Sequence, residues 1–499
     1  MKKSLIILFL FIGIYSRSQP NPNNWDTAWV SSFGGPSIDF GRDIKETGDK
    51  GFIIAGTTTS FGNGNSSFYL IKTDSTGIHQ WSRSIGTSNN DAAYSIEISN
   101  DANYFIAGFS NWNLQKGYDG YLIKADNLGN IIWTKNYGGT DWDFIYNSCM
   151  MPDGGLILCG ETYSQSNGGA DAYLIRTDAN GDTLWTKKIG TAGNDAFYSV
   201  EQRNNRIYVA GKSFNSTTNK SDASIYKLDF SGNILQQNFL GNSSEDSEYK
   251  DLAFTGNNNI LLCGKRTSGS NNFYIFRKTD TTNFSQLNSL SSTQNFYFES
   301  IVEGYNNDVY TLTTSPGGLG GLSALYFRFN SAFNYLQNAN FGGAKDEEGF
   351  EIIKTSRGYA FIGSTTSYGN QNSSPDKNVY LVIFNKKNLV NDYYILLTEF
   401  QDNLPMVNIH ENIINTQKAV IYPNPINTIY TIRFEDNSLD GKILNYQLFD
   451  QLGKLVSEEN LLVTNNHIIL DRKDITKGIY TYRLKFNSII INTGKISAE

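Results

Sequence analysis

A sequence unit repeats seven times along most of this chain. Each copy combines an apolar strand that ends in a small residue, a strand of the Tyr-Leu-Ile-Lys type, a tight turn, and a corner that leads into glycine. The residue that opens the corner recurs every 50–52 residues, at Phe33, Ile85, Tyr137, Ile189, Leu240, Leu290 and Phe341. Seven copies at one period predict an architecture in which each repeat is one supersecondary unit packed on its neighbours.

Each repeat is predicted to form four antiparallel strands. Glycine-containing turns, as at residues 48–51 and 152–155, separate the first two strands, and Asp-x-x-Gly turns, as at residues 74–77, separate the last two. The middle strands are apolar throughout, which is typical of sheets that are covered on both faces. An aromatic content of 14% with 46 Gly and 9 Pro suits an all-β protein. The prediction is a seven-bladed β-propeller over residues 19–390.

The fourth strand of the repeat indicates how the ring closes. Four residues before each corner stand Trp29, Trp81, Trp133, Trp185, Gln236, Gln286 and Gln337. The first tryptophan precedes the first repeat, and the last repeat has no evident fourth strand. We therefore expect the N-terminal strand to complete the seventh blade, which would remove two exposed sheet edges. Residues 391–397 are an alternative source of that strand.

The repeat has a recognisable pattern of its own. The order Gly-Gly, Asp, Ile-Ile-Ala-Gly, Tyr-Leu-Ile-Lys-x-Asp-x-x-Gly, Trp resembles secreted bacterial β-propeller repeat proteins over residues 26–390. The repeat does not have the Gly pair that ends the second strand of kelch blades. It also lacks the Gly-His and Trp-Asp pairs of WD40 blades. Its turn is similar to an Asp-box hairpin, but the distance from Asp to Trp is longer, so the resemblance implies no sialidase activity.

The N-terminus has the features of a signal peptide. Two lysines at positions 2 and 3 precede an apolar run at residues 5–14, and small residues follow, so cleavage is expected before Gln19. The alternative is a membrane anchor, but the run is about half the length of a transmembrane span. After removal of residues 1–18 we expect no transmembrane segment.

A separate module is predicted at residues 418–499, after a linker at residues 391–417. Short alternating strands separated by turns predict a small Ig-like β-sandwich. Its motifs are Pro423, Asn424, Pro425, Asp450, Gly453, Gly478, Tyr480, Gly494 and Lys495. In this order they resemble the type A sorting domain of the type IX secretion system of Bacteroidota. The resemblance implies export across the outer membrane with that machinery as partner. The alternative is an ordinary Ig-like binding domain.

The long loops between the second and third strands and between repeats should share one face of the propeller. Function tends to lie on variable loops held by a rigid scaffold. The aromatic candidates there are Phe61, Trp112, Trp142, Tyr163, Phe214 and Tyr368. Among Asn, Ser and Gly, such rings suit stacking on a sugar or a peptide. The alternative is that they pack within their own loops.

An acidic residue recurs six positions after the corner and is predicted to form a near-ring on the same face. Its members are Asp39, Asp91, Asp143, Asp195, Asp246 and Glu347. They could hold a cation or a basic ligand. We favour the alternative that each carboxylate accepts hydrogen bonds within its own turn, because a functional acid is rarely needed in every blade.

The sequence predicts no catalytic residue, no metal site and no cofactor. Three Cys and three scattered His are too few for a metal site, and no nucleophile elbow or zinc-protease motif occurs. A net charge of −7 without a basic cluster argues against nucleic acid. We expect a secreted or cell-surface binding or adhesion module for a glycan or protein ligand. A glycoside hydrolase or lyase with loop-face carboxylates and a structural surface protein are the alternatives.

Overall fold

The protein is described here by a computed structural model. It describes residues 29–62, 64–113, 117–291, 296–316, 321–342, 345–367, 377–385, 419–422, 429–434, 439–449, 455–471, 475–486 and 489–498. The chain divides into two compact units, Met1–Pro405 and Met406–Glu499. All 35 helix or strand elements in the described residues are β-strands, which confirms the all-β prediction. No helix in those residues is long and apolar enough to span a membrane. The predicted signal peptide and linker lie outside them.

In its described residues, the first unit contains 28 strands. The first fourteen are β1 (Trp29–Phe33), β2 (Asp39–Glu46), β3 (Phe52–Thr58), β4 (Ser67–Thr73), β5 (His79–Ile85), β6 (Asp91–Ile98), β7 (Tyr104–Asn113), β8 (Gly117–Ala125), β9 (Ile131–Tyr137), β10 (Asp143–Met150), β11 (Leu156–Thr162), β12 (Asp171–Thr177), β13 (Thr183–Ile189) and β14 (Ala196–Arg203). The next fourteen are β15 (Arg206–Asn215), β16 (Lys220–Leu228), β17 (Ile234–Leu240), β18 (Asp246–Phe254), β19 (Ile260–Ser268), β20 (Asn271–Thr279), β21 (Gln286–Ser291), β22 (Phe298–Glu303), β23 (Val309–Pro316), β24 (Leu322–Phe329), β25 (Tyr335–Phe341), β26 (Glu347–Lys354), β27 (Gly358–Thr365) and β28 (Asn378–Asn385).

These strands form four-stranded antiparallel sheets, one for each sequence repeat. Sheets 1 to 6 are consecutive sets of four, from β2–β5 to β22–β25, and sheet 7 has the order β1-β28-β27-β26. The first strands of the sheets, β2, β6, β10, β14, β18, β22 and β26, contact one another in this order, and β26 contacts β2. We call them the inner strands. The closed cycle of contacts makes the unit propeller-like.

The first strand of the chain is the outer strand of the last sheet. β1 pairs antiparallel with β28, from Trp29 opposite Ile383 to Phe33 opposite Val379. Val30 and Phe33 are buried in the cores on either side of this sheet. The two ends of the repeat region are therefore held together by backbone hydrogen bonds and by apolar packing.

The tryptophan of one sheet packs on the turn of the next sheet. The Asp-x-x-Gly turn of sheet 2 holds Gly129 at φ +79°, and a Cβ there would lie 2.8 Å from the Trp81 ring of sheet 1. Gly181 of sheet 3 lies against Trp133 in the same way, with 2.5 Å between the added Cβ and the ring. Only glycine satisfies both the left-handed backbone and this close approach. The Trp and the Gly of the repeat therefore act as a pair between neighbouring sheets.

A polar side chain links most inner strands to the next one. The Ile96 N–H donates a hydrogen bond to Asp43 Oδ2 at 2.8 Å, and the Ile301 N–H donates to Asp251 Oδ2 at 2.9 Å. Four more side chains accept from the following inner strand: Ser95, Asn147, Ser199 and Ser300. These bonds satisfy inner-strand amides that have no partner within their own sheet.

Buried cations on the third strands pair with acids in the turns between the first and second strands. Lys72 Nζ lies 2.9 Å from Asp49, and Arg176 pairs with Asp153; the side chains of both cations are only 5–6% exposed. Although burial acts to raise it, hydrogen bonds from Thr47 and Lys72 lower the pKa of Asp49 to about 2. The hydrogen bond from Arg176 is the main cause that lowers the pKa of Asp153.

These pairs predict an acid-sensitive part of the stability. A carboxyl group with a depressed pKa stabilises the fold above its unfolded-state pKa, and this contribution is lost as pH falls from about 4 towards 2. The double variant Asp49→Asn, Asp153→Asn should lose about 1 kcal/mol per site at pH 7, because two buried cations lose their carboxylates. It should also melt with a flatter pH dependence below pH 4.

Thermal melting from pH 7 to pH 2 measures both effects. The control is Asp182→Asn, because Asp182 and its partner Lys135 form a pair of 2.7 Å that is largely exposed and such pairs contribute little. Equal melting curves for the double variant and the control would contradict the prediction.

The part of the second unit that the structure describes forms seven strands in two sheets. They are β29 (Ala419–Tyr422), β30 (Ile429–Phe434), β31 (Ile443–Phe449), β32 (Leu455–Leu462), β33 (His467–Asp471), β34 (Gly478–Phe486) and β35 (Ile489–Ala498). One sheet has the order β29-β30-β33 and the other β32-β31-β34-β35. Side chains from both sheets share one core, in which the Tyr430 and Tyr446 hydroxyls are hydrogen-bonded at 2.8 Å. Two sheets around one core form a small β-sandwich.

Candidate functional site

Every inner strand of the first unit carries a β-bulge at the same place. The pairing with the second strand skips one residue, for example between Gly41 and Asp43 in sheet 1 and between Ala93 and Ser95 in sheet 2. A bulge leaves one residue unpaired and redirects its side chain. The seven skipped residues are Arg42, Tyr94, Tyr146, Tyr198, Lys250, Glu299 and Phe350. We call them the bulge ring.

Side chains of the bulge ring contact one another from Arg42 through the three tyrosines to Lys250. Tyr146 lies with its ring centroid 5.6 Å from Tyr94 on one side and 5.6 Å from Tyr198 on the other. Lys250 Nζ lies 4.4 Å from the Tyr198 ring, and the Arg42 guanidinium lies 5.2 Å from Tyr94. All seven residues of the ring are half-buried, so each keeps part of its surface open to solvent.

An aromatic surface extends outward from this ring across sheets 2 and 3. Phe109 of β7 lies 5.5 Å from Tyr94 and 4.9 Å from Phe144 of β10. Trp142, just before β10, lies 6.3 Å from Phe144 and is 49% exposed. We call this surface the aromatic platform; its members are Tyr94, Phe109, Tyr118, Trp142, Phe144, Tyr146 and Tyr163.

Polar groups border the platform. The Tyr146 hydroxyl donates a hydrogen bond to Glu161 Oε1 at 2.9 Å. Burial raises the pKa of Glu161, although this hydrogen bond acts in the opposite direction. On the opposite part of the ring, Glu248 lies 2.7 Å from Lys250 and 3.2 Å from Lys265. Burial acts to raise the pKa of Glu248, but the two lysines outweigh it and hold that pKa below its usual value. One part of the ring is therefore aromatic and the other charged.

The predicted aromatic candidates divide into three groups. Trp142 and Tyr163 belong to the platform, with 6.2 Å between their rings. Trp112 is 43% exposed, and its Nε1–H donates to Asp119 Oδ2 at 2.6 Å. Phe61 and Phe214 instead pack against glycines of a different loop, because a Cβ on Gly35 would collide with Phe61 and a Cβ on Gly193 with Phe214. Tyr368 lies outside the described residues.

Four members of the acidic near-ring accept a backbone N–H from the corner four residues earlier: Asp39, Asp91, Asp143 and Asp195. Asp39 accepts from the Gly35 N–H at 2.9 Å and from Ser60 Oγ at 2.7 Å. Burial raises the pKa of Asp39, Asp143 and Asp195. Asp91 and Glu347 are fully buried as well, and half-buried Asp246 pairs with Lys220 at 3.1 Å. These four carboxylates are acceptors of their own corners, whereas Asp246 and Glu347 accept from residues of other loops or strands.

Three further features bear on chemistry. In the described part of the chain, no group of three or more His, Cys, Asp and Glu is arranged to hold a metal ion. Cys149, Cys159 and Cys263 are free and buried. A cavity of about 10 Å³ beside Arg357 and Phe384 has room for one water molecule and none for a sugar.

The reasoning from sequence missed the bulge ring. Its signal was present, because Tyr94, Tyr146 and Tyr198 stand at the same position of three successive repeats, 52 residues apart, with Arg42 and Lys250 in register on either side. A bulge cannot be recognised from the sequence of one strand alone. Only the pairing with the second strand shows that these residues are skipped and share one position in the sheets.

The C-terminal unit matches a family of known domains. Residues 420–497 match the model of the secretion system C-terminal sorting domain. Of the predicted sorting motif, Gly478 and Tyr480 lie on β34, opposite the segment of β35 that contains Gly494 and Lys495. Pro423, Asn424, Pro425, Asp450 and Gly453 lie outside the described residues.

Similarity to curated proteins and solved structures is more distant. Regulatory protein FlaEY of Caulobacter vibrioides is 28% identical over 174 residues, which cover 30% of this chain and 18% of that protein. The chain thus spans less than a fifth of this relative. A polysaccharide lyase is similar in structure with a TM-score of 0.44 and 11% identity, covering 70% of this chain and 90% of the lyase. An extracellular domain from B. thetaiotaomicron has a TM-score of 0.42 and 10% identity, covering 92% of this chain and 56% of its own.

Proposed function

Because residues 420–497 belong to the family of type IX secretion C-terminal sorting domains, we propose that this unit exports a propeller that binds a glycan. The protein is secreted or displayed at the cell surface. The proposal concerns what the first unit does there. Its central claim is that the bulge ring and the aromatic platform together form a carbohydrate-binding surface.

The proposed architecture is a seven-bladed β-propeller followed by an Ig-like sandwich. Support for the blades comes from the four-stranded sheets, one per repeat, and from the closed cycle of inner strands. Support for the sandwich comes from the two sheets of residues 419–498 around one core. In such a ring the bulge residues surround the central axis, where propellers bind ligands at a shared surface.

The continuous aromatic platform is the observation that carries the binding proposal. Sugar rings have apolar C–H faces that stack on aromatic side chains and hydroxyl groups that need hydrogen-bond partners. The platform provides the faces of Trp142 and Tyr163, and Glu161 beside Tyr146 provides an acceptor. Exposed aromatic rings in contact are also costly to leave in water, so an uncovered cluster of this kind indicates a ligand surface.

Replacing Trp142 should weaken glycan binding. We expect Trp142→Ala to reduce affinity about tenfold or more, because a central aromatic anchor usually contributes at least this much. The measurement is binding of purified protein to an array of bacterial, algal and plant polysaccharides, followed by titration of the best ligand. Reducing sugar measured in the same wells tests whether the ligand is also cleaved.

The matched control is Leu184→Ala. Leu184 is an exposed apolar residue on β13, an outer strand away from the platform. The Leu184→Ala variant should bind the glycan as tightly as the wild type does. Equal affinities for Trp142→Ala and wild type, with both variants folded, would contradict the proposed site. Absence of binding to every polysaccharide would contradict the proposed function.

A further inference from the structure

Arg42 stands apart from the other cations of the bulge ring and its surroundings. Its guanidinium lies 4.3 Å from the Phe350 ring, 5.2 Å from Tyr94 and 5.3 Å from Phe40. Three aromatic faces thus hold a charged group at the point where sheets 7, 1 and 2 meet. In the part of the chain that the structure describes, no carboxylate lies within 4.0 Å of it, and its side chain makes no hydrogen bond.

Three other cations in or near the ring each have a carboxylate within 4.0 Å. Lys250 and Lys265 share Glu248, at 2.7 and 3.2 Å. Lys377, which also lies over the Phe40 ring, is 2.6 Å from Glu348. A half-buried guanidinium that is stacked but not paired can give its N–H donors to a ligand. An anionic ligand that accepts from them would form charge-assisted hydrogen bonds, which are stronger than those to neutral groups.

We propose that Arg42 binds the carboxylate of an acidic polysaccharide, so that the ligand is a polymer that contains uronic acids. This inference rests on the proposed glycan-binding function. The planar fork of arginine matches a carboxylate with two parallel hydrogen bonds, and stacking on aromatic rings fixes its orientation. Arg42 contacts Tyr94, and Tyr94 is the first ring of the aromatic platform.

This continuity selects a carbohydrate over other acidic partners. A carboxylate bound at Arg42 places the sugar ring that bears it against Tyr94, and the next sugars over Phe109, Phe144 and Trp142.

The experiment compares acidic polymers with their neutral forms. The probes are polygalacturonate, alginate and hyaluronate, each next to its methyl-esterified form, titrated against the full-length mature protein. We expect at least one acidic form to bind about tenfold more tightly than its ester, a value typical of one charge-assisted bidentate contact. Higher salt should reduce this preference.

Three variants identify the residue responsible. Arg42→Met should abolish the preference for the acid while leaving binding of the ester within about twofold. Arg42→Lys keeps the charge but not the fork, so it should retain a smaller preference. The matched control is Arg83→Met, which removes an exposed arginine stacked on Trp81 at 5.5 Å, away from the bulge ring, and should change nothing.

The outcomes separate this inference from the function on which it rests. Equal binding of acids and esters, weakened by Trp142→Ala but not by Arg42→Met, would overturn the inference and keep the glycan-binding function. An acid preference that survives in Arg42→Met would also overturn it. If the protein binds none of the three acidic polymers, the inference is overturned. If it also binds none of the neutral glycans of the array, the proposed function is overturned. Melting temperatures of each variant confirm that the comparison is made between folded proteins.

Discussion

A mature chain that starts at Gly34 should melt roughly 10 °C below a chain that starts at Gln19, and it should aggregate on heating. The shortened chain lacks β1, which is the outer strand of sheet 7. It loses the burial of Val30 and Phe33, worth about 1.5–3 kcal/mol each, and several backbone hydrogen bonds to β28. β28 then becomes an exposed, apolar sheet edge, and such edges pair with other chains.

Two controls make this result specific to closure. A chain that starts at Trp29 removes the preceding residues but keeps β1, so it should melt like the chain that starts at Gln19. A synthetic peptide of residues 27–35, added to the Gly34 chain, should raise its melting temperature in a concentration-dependent way. If the Gly34 chain melts like the other two, β1 does not contribute to the stability of the ring.

The fold could be predicted from the sequence because the same strand and turn signals occur in several repeats. The apolar middle strands, as at residues 52–58, and the Gly-containing turns appear in almost every copy, so that errors in one repeat are corrected by the others. The all-β prediction is confirmed. The contact between Trp81 and Gly129 was not predicted. The turn glycine and the tryptophan of each repeat were assigned to the same hairpin, whereas Gly129 contacts the tryptophan of the preceding sheet.

The candidate site was only partly accessible, for a physical reason. Loop aromatics such as Phe61 and Trp142 look alike in sequence, yet one covers Gly35 and the other is half exposed beside Phe144. Which of the two occurs depends on the backbone of the neighbouring loop. Side chains of the bulge ring depend on register, and a shift of one residue moves a side chain to the other face of a sheet. Sequence periodicity can suggest such positions, but it cannot assign them a face.

The polar residues of the site illustrate how burial decides between structural and functional roles. Asp39 recurs in the repeat and is buried, and its Oδ2 accepts from the Gly35 N–H of the corner and from Ser60 Oγ. Arg42, three positions later, also lies on β2 but ends among aromatic rings without an acceptor. Arg42 thus departs from the tyrosines that hold the same position in sheets 2 to 4, and we infer that this difference marks what sheet 1 contributes to a ligand.

Removal of residues 420–497 should prevent the protein from crossing the outer membrane and keep it in the periplasm. The sorting-domain family to which these residues belong directs export, and the two-sheet sandwich with its shared core is the folded form that the machinery would bind. The first unit has its own core, so the truncated chain should still fold and accumulate as a soluble species in the periplasm. Cell fractionation of a type IX-competent Bacteroidota host that expresses either chain, with immunodetection of the first unit, measures the result.

A fusion experiment tests whether the second unit is sufficient for export. Residues 406–499, the second compact unit, fused to a periplasmic reporter should bring that reporter to the cell surface or the medium. The matched control replaces Tyr446 by Asp in the fusion, because a buried charge in the shared core should unfold the sandwich. Loss of export in that variant would show that the folded domain, and not the linear motif alone, is the signal. Normal export of the chain without residues 420–497 would contradict the assignment, whatever the fusion does.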